Sequence, residues 1–289
     1  MQKILALGGH SEMRILDAQL QLEHDFELTV VHYGAVEFFI KNKDIQVRVL
    51  GKDITEYDFV WIHSTWGPRS VAYAVSLFLK YKHIDHTPVE YEGCKLVDML
   101  TLCMENISIP PTYFSTTPKI EERLKAIVSF CSYPFIMKST RGTYGNDIFL
   151  IRDEGEFIAA MPQLGKKIQY ICQKFIPNTF DYRIIIGKGE MLSAEKRTRQ
   201  PGEYRNNAFL GADESFLESV DVPLKVHTIA KDSSASLGLD WAGVDIVTST
   251  KTGKNFVLEL NRRPGLTEGS MEVSAAFTHI VSLLHASAE

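Results

Sequence analysis

The chain has 289 residues, 45% of them hydrophobic and 23% charged, and a formal net charge of −5. That length accommodates two or three modules sharing substantial cores, and the composition is ordinary for a soluble globular protein. The acidic balance without a basic tract argues against broad nucleic-acid affinity, and no apolar stretch reaches the roughly 18 residues of a membrane span.

The opening MQKILALGG is too short an apolar run for a signal peptide, and Cys94, Cys103, Cys131 and Cys172 form no CxxC pair. Reduced thiols and a cytoplasmic location are the expectation. Lys3–Leu7 reads as a buried strand. The Gly8-Gly9 turn after it has neither GxGxxG nor GxxxxGK[ST] spacing and reads as a plain strand–helix turn. Ser11 begins a helical pattern with Met13, Ile15, Leu16 and Leu20. Strands are expected at Leu28–Tyr33, Gln46–Leu50 and Phe59–His63, then a helix over 70–82 carrying Val71, Ala74, Val75 and Phe78. Such alternation implies an open, largely parallel sheet.

A helix over 95–105 leads to the Pro110-Pro111 break. Beyond it come a helix over 119–128, the strand PFIMKS, the loop TRGTYGN, the strand Ile148–Ile151, a helix over 154–161 and the strand QYICQKFI. Further strands are expected at Tyr182–Ile186 and Met191–Lys196, then a helix over 224–237, a hairpin, and a last helix over 271–284. Strands clustering apart from helices suggest α+β modules here.

The hairpin is the most informative segment. Val244–Val247 and Phe256–Leu260 flank the polar turn Thr250–Lys254. A turn centred on Thr252 sets Asp245 opposite Glu259, with Asn261 on the same face. Facing carboxylates need a compensating cation. Oxygen-only ligands point to Mg²⁺ or Mn²⁺, the alternative being carboxylates that simply face water. Lys138, at the end of an apolar strand and before the glycine-bearing loop Thr140–Asn146, suits phosphate binding, or else snorkels from a hairpin. Gln173, Lys174, Phe175 and Ile176 close a strand before Pro177, where free backbone groups can meet an adenine edge. Arg197, Arg199 and Arg205, with Asn207, offer guanidinium forks for phosphate or carboxylate, though surface arginines are common. Arg69 lies where an open sheet presents substrate contacts, with Trp66 beside it. His83 and His86 form an HxxH pair in an expected loop, read as solvated rather than metal-binding.

In order, EGCKLVDMLTLCMENISIPPTYF, PFIMKSTRGTYGNDIFLI, YICQKFIPNTFDYRIIIG, LSAEKRTRQPGEYRNNAFLGA and WAGVDIVTSTKTGKNFVLELNRRPGL resemble the ATP-grasp superfamily, specifically its RimK-like carboxylate–amine ligases. The resemblance implies an α/β N-terminal (pre-ATP-grasp) domain over 1–94 followed by an α+β ATP-grasp fold. That fold divides into a central lid-bearing unit over 95–176 and a catalytic unit over 177–289. By resemblance, Lys95 and Lys138 contact ATP phosphates from different sides. Arg141, Gly142, Thr143, Tyr144 and Gly145 belong to the mobile loop over the phosphates. Gln173, Lys174, Phe175 and Ile176 form the adenine hinge, and Asp181 is the ribose acid. Arg197, Arg205 and Asn207 are the catalytic group beside the transferred phosphoryl. Asp245, Glu259 and Asn261 hold two Mg²⁺ ions, with Mn²⁺ as a substitute. Departures from the family pattern include Ser139-Thr140 after Lys138, Gly145-Asn146-Asp147 ending the loop, Lys174 in place of an acid, and Arg262-Arg263 before Pro264.

The activity implied is amide formation between an amino-acid or peptide carboxylate and an amine through an acyl phosphate, releasing ADP and phosphate. The phosphoryl step is mostly positioning and electrostatics. Rival readings are a kinase on the same scaffold and a non-catalytic ATP-binding module. The expected partners are small-molecule or peptide substrates, without nucleic acid or membrane, and a homo-oligomer is compatible with the resemblance.

Overall fold

The computed structural model describes residues 2–9, 26–41, 44–64, 67–90, 93–116, 119–142, 147–165, 168–207, 210–265 and 270–286. The helix expected from Ser11, and Trp66, lie outside them. The first elements are β1 (Gln2–Leu7), β2 (Phe26–Val31), β3 (Val36–Lys41), β4 (Asp44–Val49), β5 (Lys52–Asp53), β6 (Phe59–Ile62), α1 (Arg69–Tyr81) and β7 (Asp85–His86). Strands β2-β1-β6-β7 form a parallel sheet, as the alternating pattern implies. The strand expected at Gln46–Leu50 does not join it. It is β4, the centre of a separate antiparallel ribbon β3-β4-β5.

Side-chain alternation gives the parallel sheet two apolar faces. Leu5, Leu7, Val60 and Ile62 pack against Val75, Phe78 and Leu79 of α1 and against Val47 and Val49 of the ribbon. Ile4, Ala6, Phe59 and Trp61 face the other way. Gly8 (φ +72°) ends β1, and a Cβ there would lie 2.4 Å from both the His63 carbonyl and the Tyr33 ring. Close packing at a left-handed position explains that glycine.

Next come α2 (Lys95–Met104), β8 (Thr112–Phe114), α3 (Leu124–Cys131), β9 (Phe135–Ser139), β10 (Ile148–Ile151), α4 (Glu154–Ala160) and β11 (Tyr170–Lys174). Their strands form an antiparallel sheet in the order β10-β9-β11-β8, covered by α3 and α4. The α4 start follows its sequence, because the Asp153 carboxylate caps the Glu156 N–H.

The last part holds β12 (Phe180–Gly187), β13 (Glu190–Thr198), β14 (Asp213–Leu217), α5 (Leu224–Ser236), β15 (Trp241–Thr248), β16 (Asn255–Asn261) and α6 (Met271–Ala286). Five antiparallel strands run β14-β13-β12-β15-β16. On one face Tyr182, Ile184, Ile186, Val244, Ile246 and Leu260 pack under α5 and under Met99 and Leu102 of α2. The opposite face divides along its length. Ile185 and Trp241 meet Ala276, Ile280 and Leu283 of α6, and this helix also packs on Trp61, joining the first sheet to the last. The rest of that face carries charge, and the candidate site residues Asp181, Arg197 and Asp245 lie on it.

Candidate nucleotide and substrate site

The hairpin β15–β16 sets Asp245 opposite Glu259, the pairing expected from the sequence, but by another route. From Thr248–Asn255 to Ile246–Val257 the register centres the turn between Lys251 and Thr252. A bulge between Ile246 and Asp245 then makes up the difference, with Leu258 as the extra residue. Asn261 lies opposite Gly243, and its Nδ2 is 3.4 Å from Asp245 Oδ2.

Across the strands runs a row of paired charge. Arg183 grips Asp245 with two parallel bonds, Nε to Oδ1 at 2.9 Å and Nη2 to Oδ2 at 3.0 Å. Arg197 grips Asp181 likewise at 2.8 and 2.6 Å, and reaches Asp245 Oδ1 at 3.2 Å. Burial pushes the Asp245 carboxyl upward, but the Arg183 and Arg197 guanidiniums outweigh it and hold the group at about 2. Lys95 Nζ is 2.9 Å from Glu259 Oε1. The compensating cations that facing carboxylates require are thus supplied by the protein's own side chains. Glu259 keeps lone pairs beyond its contact with Lys95, so it suits a hard divalent ion as it stands. Arg183, Arg197 and Asn261 together meet the lone pairs of Asp245, which would take such an ion only by giving up one of those partners. Among the described residues no group of three His, Cys, Asp or Glu is placed to hold a metal.

Two lysines converge on this row from separate elements. Lys95, at the start of α2, also donates to the Gly142 carbonyl at 2.7 Å. Lys138 on β9 donates to the Leu258 carbonyl, which the bulge takes out of the ladder, at 3.0 Å. Burial pushes the Lys138 ammonium down to about 8 against the pull of Glu259, and an arriving phosphate would favour its charged form. Arg141 is exposed, its N–H donating to Ser139 Oγ at 3.2 Å. Thr143, Tyr144 and Gly145 lie outside the described residues.

At the hinge the free backbone groups are more selective than the sequence suggests. The Lys174 N–H donates to the Pro111 carbonyl at 2.9 Å and the Phe175 N–H to the Pro134 carbonyl at 3.1 Å. Neither proline has an N–H to return, so among the described residues no backbone N–H is placed to meet the Lys174 or Phe175 carbonyl, while these two donors are spent. Gln173 is buried and donates to Thr112 Oγ1 at 2.8 Å, and Ile176 is buried beside it.

Not all candidates meet. Arg205 forms a two-point pair with Glu203 (Nε–Oε1 and Nη2–Oε2, both 2.9 Å) on the loop after β13, with its guanidinium 5.0 Å from the Tyr204 ring centre. Tyr204 ties that loop to the Ile148 carbonyl at 2.8 Å. Asn207 accepts the Leu210 N–H through its backbone at 2.9 Å. Arg199 and Asn206 both reach Asn178 Oδ1, at 3.2 and 2.9 Å. His86 is taken up by Ile84 and Ser76, a structural role on β7.

Sequence reasoning singled out Arg69 and Arg262 separately but missed the ionic group they form with Glu90 and Asp98. Arg262, one residue past Asn261, pairs with Asp98 of α2 at 3.0 and 2.8 Å and with Glu90, which also meets Arg69 at 2.5 Å. Arg263 donates to the Gly9 carbonyl at 3.1 Å. Asp98 stands one helical turn from Lys95, so α2 fastens β16 on both sides of Asn261. That i,i+3 spacing, and Arg183 two residues from Asp181, were the available signals.

Residues 94–282 match the family model described as the RimK-like ATP-grasp domain. The chain belongs to the RimK-like ATP-grasp family. Membership gives the activity in outline, an ATP-dependent, ADP-forming ligation of a carboxylate to an amine, and makes ATP and Mg²⁺ the typical requirements. The chain is 29% identical over 277 residues to a probable alpha-L-glutamate ligase of Halorhodospira halophila (strain DSM 244 / SL1), covering 91% of this chain and 88% of that protein. It is 27% identical to one of Serratia proteamaculans (strain 568), again over 91% and 88%. Among solved structures, the ATP-grasp ligase PsnB with a phosphomimetic variant of its minimal precursor, Mg and ADP superposes with a TM-score of 0.72 at 16% identity, covering 98% of each chain. D-alanine–D-alanine ligase from Bacillus anthracis with ATP gives 0.66 at 17%, covering 99% of this chain and 96% of that one. These two confirm the ATP-grasp fold across nearly the whole chain.

Proposed function

We propose that the charged face of the five-stranded sheet is the phosphoryl-transfer site, and that the ligase joins an acidic amino acid, glutamate in the first instance, through its amine to an amino-acid or peptide carboxylate. The observation that carries the site is the convergence of Lys95 and Lys138 on Glu259 and on the bulge beside it. Glutamate is favoured by the names of the relatives and by the Arg69, Arg262 and Arg263 group next to the hairpin.

In this reading Lys95 and Lys138 hold phosphate oxygens, and the hinge carbonyls and buried Ile176 receive the adenine. Asp181 orients Arg197 instead of serving the ribose alone. Asp245, Glu259 and Asn261 would hold Mg²⁺, two ions or Mn²⁺ in its place, which supplies positive charge against phosphate oxygens. Arg197 is aimed by its two carboxylates at the region where the acyl phosphate and the later oxyanion carry negative charge. Arg205 and Asn207 join from the loop after β13 when substrate replaces Glu203 as partner. The divisions at 94/95 and 176/177 belong to the same reading and are supported by the sheets, which do not share strands across them.

ADP and free phosphate should form from ATP and Mg²⁺ when L-glutamate and pooled carboxylate acceptors are supplied together, with a condensed product seen by mass spectrometry. AMP and pyrophosphate as products would sink the mechanism. ADP with a phosphorylated product and no free phosphate would make it a kinase. Turnover with other amines but not with glutamate would remove the substrate assignment alone.

A further inference from the structure

The ribbon β3-β4-β5 carries a surface that the ligase site does not use. β3 is its outer strand, so one backbone edge of Val36–Lys41 pairs with no strand among the described residues. Unlike a strand half-sunk in a core, β3 is exposed along both faces, with Phe38, Phe39 and Ile40 at 36%, 46% and 73% exposure. Three consecutive large apolar side chains on an open edge form a template for another strand.

We propose that this edge pairs with the same edge of a second copy of the chain, as an antiparallel two-fold dimer centred on Phe39. The choice of occupant rests on charge. A two-fold axis through Phe39 sets Glu37 opposite the second copy's Lys41, and Lys41 opposite the second copy's Glu37, on the Phe39 face. Phe38 then faces the second copy's Ile40 on the other side, an aromatic–β-branched pair. A shift of one residue in this register would face Glu37 with an isoleucine and Lys41 with a valine, losing both ion pairs and exchanging faces. The favoured register also extends an existing row, since Glu37 already lies opposite Arg48 of β4. Charged residues can instead guard an edge against pairing. Guards of one sign repel a second copy, whereas Glu37 and Lys41 are of opposite sign and placed symmetrically about Phe39, so they attract one. The contact is isologous and closes at two subunits.

The test is sedimentation velocity of the full chain across a hundredfold range of concentration. Wild type should show a dimer whose share rises with concentration. Glu37→Lys and Lys41→Glu should each raise the dissociation constant about tenfold or more, because each places like charges at both symmetric positions. Mixed together, these two variants should associate as tightly as wild type, because every facing pair is again of opposite sign. The double variant Glu37→Lys/Lys41→Glu should do the same with itself. Unchanged thermal unfolding and ADP release would show that the variants are folded. The proposal is overturned if wild type stays monomeric throughout, if the dimer ignores the single variants, or if the mixture fails to recover. A wild-type monomer that captures an extended apolar peptide at this edge would make β3 a peptide-docking strand and equally overturn the dimer.

Discussion

The two faces of the five-stranded sheet are built from the same strands and have opposite characters. Ile184 and Arg183 are chain neighbours, yet one is sealed under α5 and the other grips Asp245. The apolar face derives its stability from burial and tolerates substitutions of similar volume. The charged face offsets its desolvation cost only while every carboxylate keeps its guanidinium or ammonium partner. Its order depends on complete pairing, and a nucleotide's phosphates would enter an already balanced set of charges.

Removing Asp245 should break this comparison most severely. Asp245→Ala takes away Arg183's carboxylate and one of Arg197's two, and should cost about 3–5 kcal/mol, read as a lower denaturant midpoint, besides ending ADP release. An unchanged midpoint would mean that the row contributes nothing to the fold. Glu259→Ala is the gentler test of the metal reading, because Lys95 keeps its bond to Gly142.

Lys138→Met should separate function from stability. kcat/KM for ATP should fall by about 10²–10³-fold, while the unfolding free energy should fall by only about 1–3 kcal/mol, the cost of leaving the Leu258 carbonyl without its donor. Activity within threefold of wild type would remove Lys138 from the phosphate site.

The α6 end of the same face yields a smaller, pH-dependent effect. His279 is buried between Trp61 and Trp241 with neither ring nitrogen bonded among the described residues, and burial pushes it from 6.5 down to about 3. The unfolded chain binds a proton below 6.5 and the folded chain does not, so stability is lost as pH falls through that value. The loss from this residue should be about 1.4 kcal/mol at pH 5.5. Denaturant midpoints at pH 7.5 and 5.5 should diverge less in His279→Phe than in wild type. An equal divergence would place the pH dependence elsewhere.

Ile184→Val should cost least, about 0.5–1.5 kcal/mol, with kcat/KM unchanged. A kinetic effect there would mean that the two faces are not separable.

Much of the central sheet was legible because Ile184–Ile186 in β12 and Val244, Ile246 and Val247 in β15 form β-branched apolar runs. The ribbon strand β3 was not, since VEFFIK sits in solvent and shows no apolar–polar period. β14 escaped for a related reason, its residues Asp213–Leu217 being mostly exposed at the sheet edge. Lys95, Lys138, Asp245 and Glu259 were readable from spacing and family resemblance, and the structure brings all four together. The link between Arg262 and Asp98 was not, because 164 residues separate them and only the packing of α2 on the last sheet makes them neighbours. Asp245 and Glu259 were paired correctly from a turn placed half a residue too late, since nothing in the hairpin's composition marks a bulge.

That bulge sets what the hairpin can gain or lose in length. Deleting Leu258 would leave Val257 and Leu260 facing the core and Glu259 and Asn261 facing the site, in unbroken alternation. The loss would be one main-chain oxygen, the anchor of Lys138. What position 258 supplies to the site is therefore main chain, and a gap there would remove it.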